Sequence, residues 1–163
     1  IYVCNVDENS IIEGNGLSEI VDNHANKKSA KSIKISAQIE SEISTIEDQN
    51  EKKQFLQSVG LNETSLSLLI REGYSLLDLI TFFTSGPKES RAWSLKRGTL
   101  APDAGAKIHT DFKKGFIRAE VISFEDFEKF DGELNCKDKG RLRLEGKDYE
   151  VQDGDVITFR FNV

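Results

Sequence analysis

The stretch IYVCNVDENS (residues 1–10) opens with four apolar residues and then becomes polar. An apolar run of this length beside a polar cluster predicts a short buried strand followed by a loop. Apolar residues at helical spacing follow over about residues 16–26, and KSIKISAQIE (31–40) contains an alternating strand pattern. The order of strand, loop, helix and strand predicts a βαβ unit with a right-handed crossover.

The two strands of this unit differ in their apolar pattern. The first is uniformly apolar, as an interior parallel strand should be, whereas the second alternates, as an edge strand does. We therefore expect the βαβ unit to be the last one of a larger doubly wound sheet, with the missing strands N-terminal to residue 1. On this expectation the chain is a C-terminal piece of a longer protein.

Residues 37–80 have helical patterns throughout. Asp48, with an acidic residue three positions later, predicts a capped helix start. Gly60 and Gly73 each predict a helix end, because glycine adopts the left-handed conformation that closes many helices. The apolar residues that follow, up to Ile80, predict one or two further helical turns.

From residue 81 onward the pattern changes to strands and turns. TFFTS and RAWSLKR, joined by GPKE (86–89), predict a hairpin, and Pro102 predicts the first turn of a short helix. A strand, a phenylalanine-rich helix, a turn at Asp153-Gly154 and a closing strand complete the pattern. In the first of the two later strands, Ile117, Ala119 and Val121 are predicted to share one face, and in the closing strand Ile157, Phe159, Phe161 and Val163 are.

These patterns predict two domains with a boundary near residue 80. Residues 1–80 form an α/β fragment, consisting of a terminal βαβ unit and a helical connection. Residues 81–163 form an α+β domain of β-grasp type.

Composition limits the classes of function. The chain of 163 residues is 31% charged, and no apolar run approaches the roughly 20 residues that span a bilayer. No signal peptide pattern begins the sequence. Cys4 and Cys136 match no metal-ligand spacing, so we expect two reduced structural thiols in a cytoplasmic protein and no metal site. We also expect no membrane association and a monomer.

The net charge of −6 conceals a basic segment. Residues 86–118 contain eight basic and three acidic side chains, whereas the flanking segments are acidic. This segment, the basic island, is predicted either to contact RNA or to be a solvated strand face. Strand alternation puts Arg91 beside Trp93, which is either a stacking platform or a core residue. The candidate RNA-binding residues are Lys88, Arg91, Lys96, Arg97, Lys113, Lys114 and Arg118.

The loops that follow the two N-terminal strands are candidates for ligand binding, because doubly wound sheets bind ligands at the carboxyl ends of their strands. The first loop contains NVDE (5–8), in which Asn5 offers a donor and an acceptor to a purine edge. The second contains Ser36, Ala37 and Gln38, whose backbone the βαβ geometry brings alongside. The alternatives are an ordinary strand-end turn for Asn5 and a solvated loop acid for Glu8.

Longer stretches carry a resemblance to a known family. NVDE with SAQ resembles the base-specificity loops of P-loop NTPases, whose usual forms are N-K-x-D and S-A-K. The stretches 69–127 and 140–163 contain RAW, AKIHTDF, KGFIRAEVI and DGDV, and they resemble the C-terminal half of the YchF / Obg-like ATPase family. The resemblance extends along nearly the whole chain. It implies that residues 81–163 are a TGS domain, a ubiquitin-like β-grasp module shared with threonyl-tRNA synthetase.

The resemblance implies a ribosome-associated NTPase that prefers ATP, with GTP possible, and that uses Mg²⁺ in the full-length parent. The base-binding positions would be Asn5, Val6, Glu8, Ser36, Ala37 and Gln38. Glu8 stands where the usual motif has an aspartate that accepts from guanine N1 and N2, and Val6 stands where it has a lysine. Adenine offers neither of those hydrogens, so a carboxylate there would remain unpaired.

The chain contains no G-x-x-x-x-G-K-[ST] motif. It therefore offers no phosphate loop, and we assign no catalytic residue, expect no bound nucleotide and expect no hydrolysis by these residues alone. Two other classes of function stay open. One is a non-catalytic TGS-type interaction module on a structural βαβ platform, and the other is an appendage of a stress-signalling hydrolase or a synthetase.

Overall fold

A computed structural model describes residues 1–162 of the protein. They form two compact units, of which the first comprises Ile1–Ser75 and the second begins at Leu76. Each unit contains a separate cluster of buried hydrophobic residues. The two clusters differ in size and in the sheets that carry them.

The first unit contains a two-stranded parallel sheet followed by helices. Val3 of the first strand lies opposite Ile33 of the second, and Asn5 lies opposite Ile35. The strand–helix–strand order that the sequence predicts is observed. The elements are β1 (Tyr2–Asn5), α1 (Gly16–Lys27), β2 (Ser32–Ile35), α2 (Ala37–Ser44), α3 (Gln49–Ser58) and α4 (Ser65–Leu76).

Helix ends in this unit follow local chemistry. Asn15 Oδ1 accepts from the Ser18 N–H at 3.0 Å and Ser18 Oγ accepts from the Asn15 N–H at 2.8 Å, which is a capping box at the start of α1. Asp48 caps α3 as predicted, and Gly60, with φ of +75°, follows the end of that helix. The predicted helix end at Gly73 is wrong. Gly73 lies inside α4, where a glycine costs only about 1 kcal/mol.

The core of the first unit is small, and apolar residues lie outside it. The sequence predicts an interior β1, yet Tyr2 and Val3 are 37% and 45% exposed. On α1, Leu17 and Ile20 are 76% and 66% exposed. Within the described residues β1 pairs with β2 alone, so its other edge is open. The buried cluster consists of Cys4, Val6, Ile11, Ile39, Ile43 and Leu56.

The second unit is built on a five-stranded mixed sheet with the order β4-β3-β7-β5-β6. β3 and β7 are parallel, and the other neighbouring strands are antiparallel. The elements are β3 (Leu79–Ser85), β4 (Ser90–Lys96), α5 (Ala101–Ile108), α6 (Thr110–Lys114), β5 (Phe116–Ser123), α7 (Phe124–Lys129), α8 (Glu133–Asp138), β6 (Arg143–Glu145) and β7 (Asp155–Phe161).

The predicted hairpin and the helix after Leu100 are confirmed, and the predictions for Ile80 and Ile117 are wrong. Ile80 belongs to β3 rather than to a helical turn, because it is buried in the core of the second unit. Ile117 is exposed, because the register of β5 shifts between Phe116 and Arg118 and turns Phe116 inward instead. Of the predicted face of the closing strand, Val163 lies outside the described residues.

A turn before β7 ties the centre of this sheet together. Asp153 Oδ1 accepts from the Thr81 N–H at 2.7 Å, and the Gly154 N–H donates to the Thr81 carbonyl at 2.8 Å. The Gly154 carbonyl in turn accepts from the N–H of Phe124. Gly154 has φ of +84°, which favours glycine at this position. The DGDV sequence therefore links β3, the start of α7 and β7.

Candidate functional site

The loops that follow β1 and β2 are joined side by side. The Val6 N–H donates to the Ile35 carbonyl at 2.9 Å, which continues the parallel pairing past the strand ends. Asn5 Oδ1 then accepts from the Ala37 N–H at 3.0 Å. We call this hydrogen bond the loop clamp. It fixes the Asn5 side chain against the start of α2, so the two loops form one surface.

The loop clamp leaves part of the Asn5 amide for other partners. A carbonyl oxygen has two lone pairs, of which the clamp uses one, and the amide nitrogen carries two donor hydrogens. Among the described residues nothing accepts from Asn5 Nδ2. Asn5 therefore retains an outward donor and a second acceptor site next to each other, which is the arrangement that a purine edge requires.

The other predicted base-binding residues divide into buried and exposed ones. Ser36 is fully buried and its Oγ accepts from the Ile39 N–H at 3.5 Å, so it caps α2. Val6 is buried in the core of the first unit. Ala37 and Gln38 are exposed, and Gln38 Nε2 donates to Glu42 Oε1 at 3.3 Å.

Glu8 lies in a short 3-10 helix, Glu8–Ser10, and its side chain is exposed. The residue that shapes this loop is its neighbour Asp7, whose Oδ1 accepts from the Ser10 N–H at 3.0 Å and from Ser10 Oγ at 2.8 Å. Asp7 was not among the predicted site residues, although an aspartate three residues before a serine is typical of such turns. Asp7 therefore positions the loop and leaves Glu8 projecting into solvent.

Ion pairs neutralise four of the seven candidate RNA-binding residues of the basic island. Arg97 contacts Asp78 at 3.3 Å and Arg91 contacts Glu89 at 3.8 Å, each at the exposed surface. Within residues 1–162 no carboxylate lies at ion-pair distance from three of the seven candidates. The paired candidates are Arg91, Arg97, Lys113 with Asp103, and Arg118 with Glu120; the unpaired ones are Lys88, Lys96 and Lys114.

Trp93 lies between the core and the surface. The Arg91 guanidinium lies 4.9 Å from the centre of its ring, and the Phe82 ring lies 6.4 Å away on a nearly parallel plane. Its Nε1–H donates to Thr84 Oγ1 at 3.0 Å. The predicted neighbouring of Arg91 and Trp93 is confirmed. Trp93 packs against the core, which agrees with the second of the two roles considered for it, and its role as a stacking platform stays a prediction.

A polar cluster that the sequence analysis did not identify lies at the start of β7. Asp155 is 2% exposed, and its Oδ2 accepts from the Tyr149 hydroxyl at 2.7 Å and from the Gln152 N–H at 2.9 Å. Burial, followed by the hydrogen bond to Asp155, raises the pKa of Tyr149 to about 12. Arg143 donates to the Tyr149 hydroxyl and to Asp155 Oδ1. The cluster is satisfied internally, which indicates a role in holding the loop before β7.

Nowhere in residues 1–162 do three or more histidine, cysteine, aspartate or glutamate side chains come together as metal ligands. Across the same range, every helix is too short or too polar to cross a membrane.

Residues 79–162 match a family of YchF GTPase C-terminal domains, described as a protein of unknown function (DUF933). Along all 163 residues the chain is 53% identical to the ribosome-binding ATPase YchF of Haemophilus influenzae and 47% identical to that of Escherichia coli O157:H7. The chain spans less than half the length of these curated relatives, 44% in both cases.

Solved structures give the same result. The YchF GTPase of Schizosaccharomyces pombe superposes on 98% of this chain with a TM-score of 0.80 and 27% identity, and the match covers 43% of that chain. A GTP-binding protein of Pyrococcus horikoshii OT3 shares the fold over 94% of this chain and 44% of its own, with a TM-score of 0.60 and 20% identity. Sequence and structure together assign this chain to the YchF family, whose C-terminal domain it contains.

Proposed function

We propose that this chain is the C-terminal part of a ribosome-associated, ATP-preferring NTPase. Two observations support the assignment: the relatives named ribosome-binding ATPases align with every residue of the chain, and the first unit ends its strands in two joined loops. In this proposal the first unit is the edge of a nucleotide-binding domain, and the phosphate and Mg²⁺ sites belong to the part of its relatives that the chain does not span.

The observation that carries the nucleotide proposal is the loop clamp. The Ala37 N–H holds Asn5 Oδ1 in place. The Asn5 amide nitrogen can then donate to adenine N7, while the second lone pair of Oδ1 accepts from the N6 amine. Glu8 adds no hydrogen bond to adenine. A carboxylate at the position that meets guanine N1 and N2 gains no partner from adenine, and an exposed one stays hydrated at little cost.

Asn5→Asp in the full-length protein tests this arrangement, because aspartate keeps the acceptor of the loop clamp and removes the two donors. We expect ATP binding, measured by calorimetry, to weaken by about 1–3 kcal/mol, the cost of unsatisfied buried partners. Asn5→Ala removes the clamp as well and should weaken binding further. Asn23→Ala, at an exposed position of α1, is the matched control. Equal ATP affinity in Asn5→Asp and the unmodified protein would exclude Asn5 as a base-reading residue.

Glu8→Asp tests the choice of base. Aspartate restores the shorter acceptor of the usual guanine-binding motif, so we expect GTP binding to strengthen relative to ATP binding. Val6 limits the gain, because it is buried and supplies no long stem above the base. Titration of the same variant with both nucleotides measures the ratio, and an unchanged ratio would mean that Glu8 does not contribute to the preference.

We infer that the part of the second unit from residue 81 onward is a TGS domain of β-grasp type that faces ribosomal RNA. The mixed sheet packed against α5 supports this inference, as do the unpaired lysines of the basic island. Of these, Lys114 ends α6 next to Lys113, so the two lysines form one short basic segment.

Lys113→Glu combined with Lys114→Glu tests the RNA contact. We expect weaker ribosome co-sedimentation and a salt dependence of log affinity that flattens by about one per lost phosphate contact. Lys137→Glu with Lys139→Glu makes the same charge change outside the island and is the control. ATP binding should stay unchanged in both. A slope equal to that of the control variant would make the island a solvated face.

A further inference from the structure

Two arginines lie directly opposite each other in the sheet of the second unit. Arg118 of β5 is paired with Arg160 of β7. The next pair along the strands, Ala119 with Phe159, belongs to the buried core, so the two arginines project from the other face of the sheet. Like charges directly opposite each other in an antiparallel pair destabilise it. An arginine pair at this place is therefore a candidate for a role other than stability.

The shift in the register of β5 creates this pair. Phe116 lies opposite Phe161, and the same register continued without a shift would put Ile117 opposite Arg160. The shift adds one residue to β5, so Arg118 takes that place and Ile117 is left exposed. Irregularities of this kind often re-aim a side chain at a functional surface.

Glu120 joins the two arginines. Its Oε2 accepts from Arg160 Nη2 at 2.8 Å, and its Oε1 accepts from Arg118 Nη2 in a longer contact of 3.5 Å. The side chain of Glu120 is 11% exposed, whereas those of Arg118 and Arg160 are 50% and 52% exposed. We call these three residues the double-arginine site. Since one carboxylate serves two guanidinium groups, the site keeps one net positive charge.

Most of the donors in the double-arginine site are free. A guanidinium carries several N–H donors in a planar fork, and Glu120 engages one nitrogen of each arginine. Within residues 1–162 no other acceptor lies at hydrogen-bonding distance from either guanidinium. Glu133 acts on Arg160 through its charge, but it forms no ion pair with it. Two half-exposed forks therefore face solvent side by side.

The chemistry of the site matches a phosphodiester. Guanidinium forks bind phosphate oxygens in pairs, with better geometry than a lysine offers. The single net charge of the site balances the one negative charge of a phosphodiester, whereas a phosphorylated side chain carries about −1.5 to −2. Lys114, which has no carboxylate partner within residues 1–162, ends α6 four positions before Arg118. Basic residues thus continue from α6 into β5, as a ligand with repeated phosphates requires.

We propose that the double-arginine site binds a backbone phosphate of RNA. Arg118 and Arg160 donate to the non-bridging oxygens of the phosphate, and Glu120 is a positioning residue that holds the two forks together. This inference rests on the RNA contact proposed above, and it adds Arg160 and Glu120 to the residues that form it. A phosphate contact carries no base information, so the site orients the domain on RNA of any sequence.

The test uses the full-length protein and a fluorescently labelled RNA stem–loop, with affinity measured by anisotropy over a series of salt concentrations. The slope of log affinity against log salt reports the number of phosphates neutralised. The affinity extrapolated to molar salt, where the counterion contribution vanishes, reports the geometry of the contacts. A phosphoserine peptide is the comparison probe, and we expect it to bind more weakly than the RNA.

Variants of the two arginines separate charge from geometry. Arg118→Gln and Arg160→Gln should each flatten the slope by about 0.7–0.9, the value of one phosphate contact. Arg160→Lys keeps the charge and loses the fork, so the slope should stay the same while the affinity at molar salt falls about tenfold, as for one lost charge-assisted hydrogen bond. Arg141→Gln and Arg141→Lys, at an exposed arginine before β6, are the matched controls and should change neither quantity.

Glu120→Gln tests the positioning role. The substitution raises the net charge of the site, so a surface that attracts RNA by charge alone would bind more tightly at every salt concentration. We expect a steeper slope together with a lower affinity at molar salt, because the forks are no longer held by a shared carboxylate. An affinity at molar salt equal to that of the unmodified protein would overturn the positioning role.

Flattened slopes in both glutamine variants, with the fall in Arg160→Lys and no change in the Arg141 controls, support the proposal. Unchanged slopes, equal losses in Arg141→Gln, or tighter binding of the phosphoserine peptide than of RNA would each overturn it. If Arg118→Gln fails to fold by circular dichroism, the two Arg160 variants decide. A loss of ribosome binding in Lys113→Glu with Lys114→Glu alone would leave the proposed function standing and overturn this inference.

Discussion

The two units of this chain treat their hydrophobic residues differently. The second unit buries eleven residues in one cluster that the five-stranded sheet and α5 enclose. The first unit buries six in its cluster and leaves Tyr2, Val3, Leu17 and Ile20 exposed beside a two-stranded sheet. A two-stranded sheet gives too little area to bury both faces. The second unit therefore buries enough apolar surface to be stable by itself, whereas the first unit exposes apolar surface that further contacts can cover.

The largest expected effect separates the units as isolated pieces. We expect residues 76–163 to fold alone with a cooperative thermal transition, and residues 1–75 to show weak, gradual unfolding with little near-ultraviolet circular dichroism. The reason is the fraction of apolar surface that each piece buries, which limits the stability of short chains. A sharp transition of the 1–75 piece at low concentration would contradict this comparison.

A second prediction compares single core residues. Phe82, fully buried in the second unit, should cost about 3–5 kcal/mol when replaced by alanine, and Ile39 in the first unit about 2–5 kcal/mol. The second unit should keep its sheet after Phe82→Ala, whereas the small core of the first unit should lose protection altogether after Ile39→Ala. Amide hydrogen exchange, read separately for each unit, measures both. Phe124→Ala, at a half-exposed ring, is the control and should cost less.

The smallest expected effect concerns acid stability of the second unit. The hydrogen bond from Arg160, at 2.8 Å, lowers the pKa of Glu120 below its ordinary value of 4.5. A lowered pKa in the folded state stabilises the protein above pH 4.5, and this contribution is lost as the pH falls through the folded-state pKa. Glu120→Gln should therefore cost about 0.5–1 kcal/mol near neutral pH and nothing in strong acid.

Denaturant unfolding at a series of pH values tests this prediction. Glu128→Gln, at an exposed position of α7, makes the same chemical change where residues 1–162 offer no such partner, and it is the control. A difference between Glu120→Gln and the unmodified protein that persisted unchanged in strong acid would show that the glutamate acts through packing instead of charge.

Much of this fold was predictable, because local signals agreed with the tertiary structure. The βαβ order, the hairpin around Pro87 and the helix that begins near Pro102 depend on periodicity and turn chemistry within a few residues. Other features depend on how the strands pair with one another. Ile117 turns outward because of a shift in the register of β5 against β7, and β6 is too short to leave a pattern. Gly73 resembles a helix end but lies inside α4.

The candidate site was predictable in part for the same reason. The positions of Asn5 and Ala37 follow from the ends of neighbouring parallel strands, but their hydrogen bond depends on side-chain geometry. The burial of Val6 was hidden by its place in a polar motif. Which lysines of the basic island are neutralised depends on partners such as Asp78, which lies nineteen positions away from Arg97.

The loop clamp has a consequence for the speed of ligand exchange. Because the Asn5–Ala37 hydrogen bond orders both loops during folding, a ligand meets a surface that is already assembled, and its arrival bears none of the entropic cost of ordering them. The association rate is then limited by diffusional encounter, whose rate is nearly the same for similar ligands. We expect ligands of this surface to differ mainly in how long they stay bound, so that residence time is where selectivity is expressed.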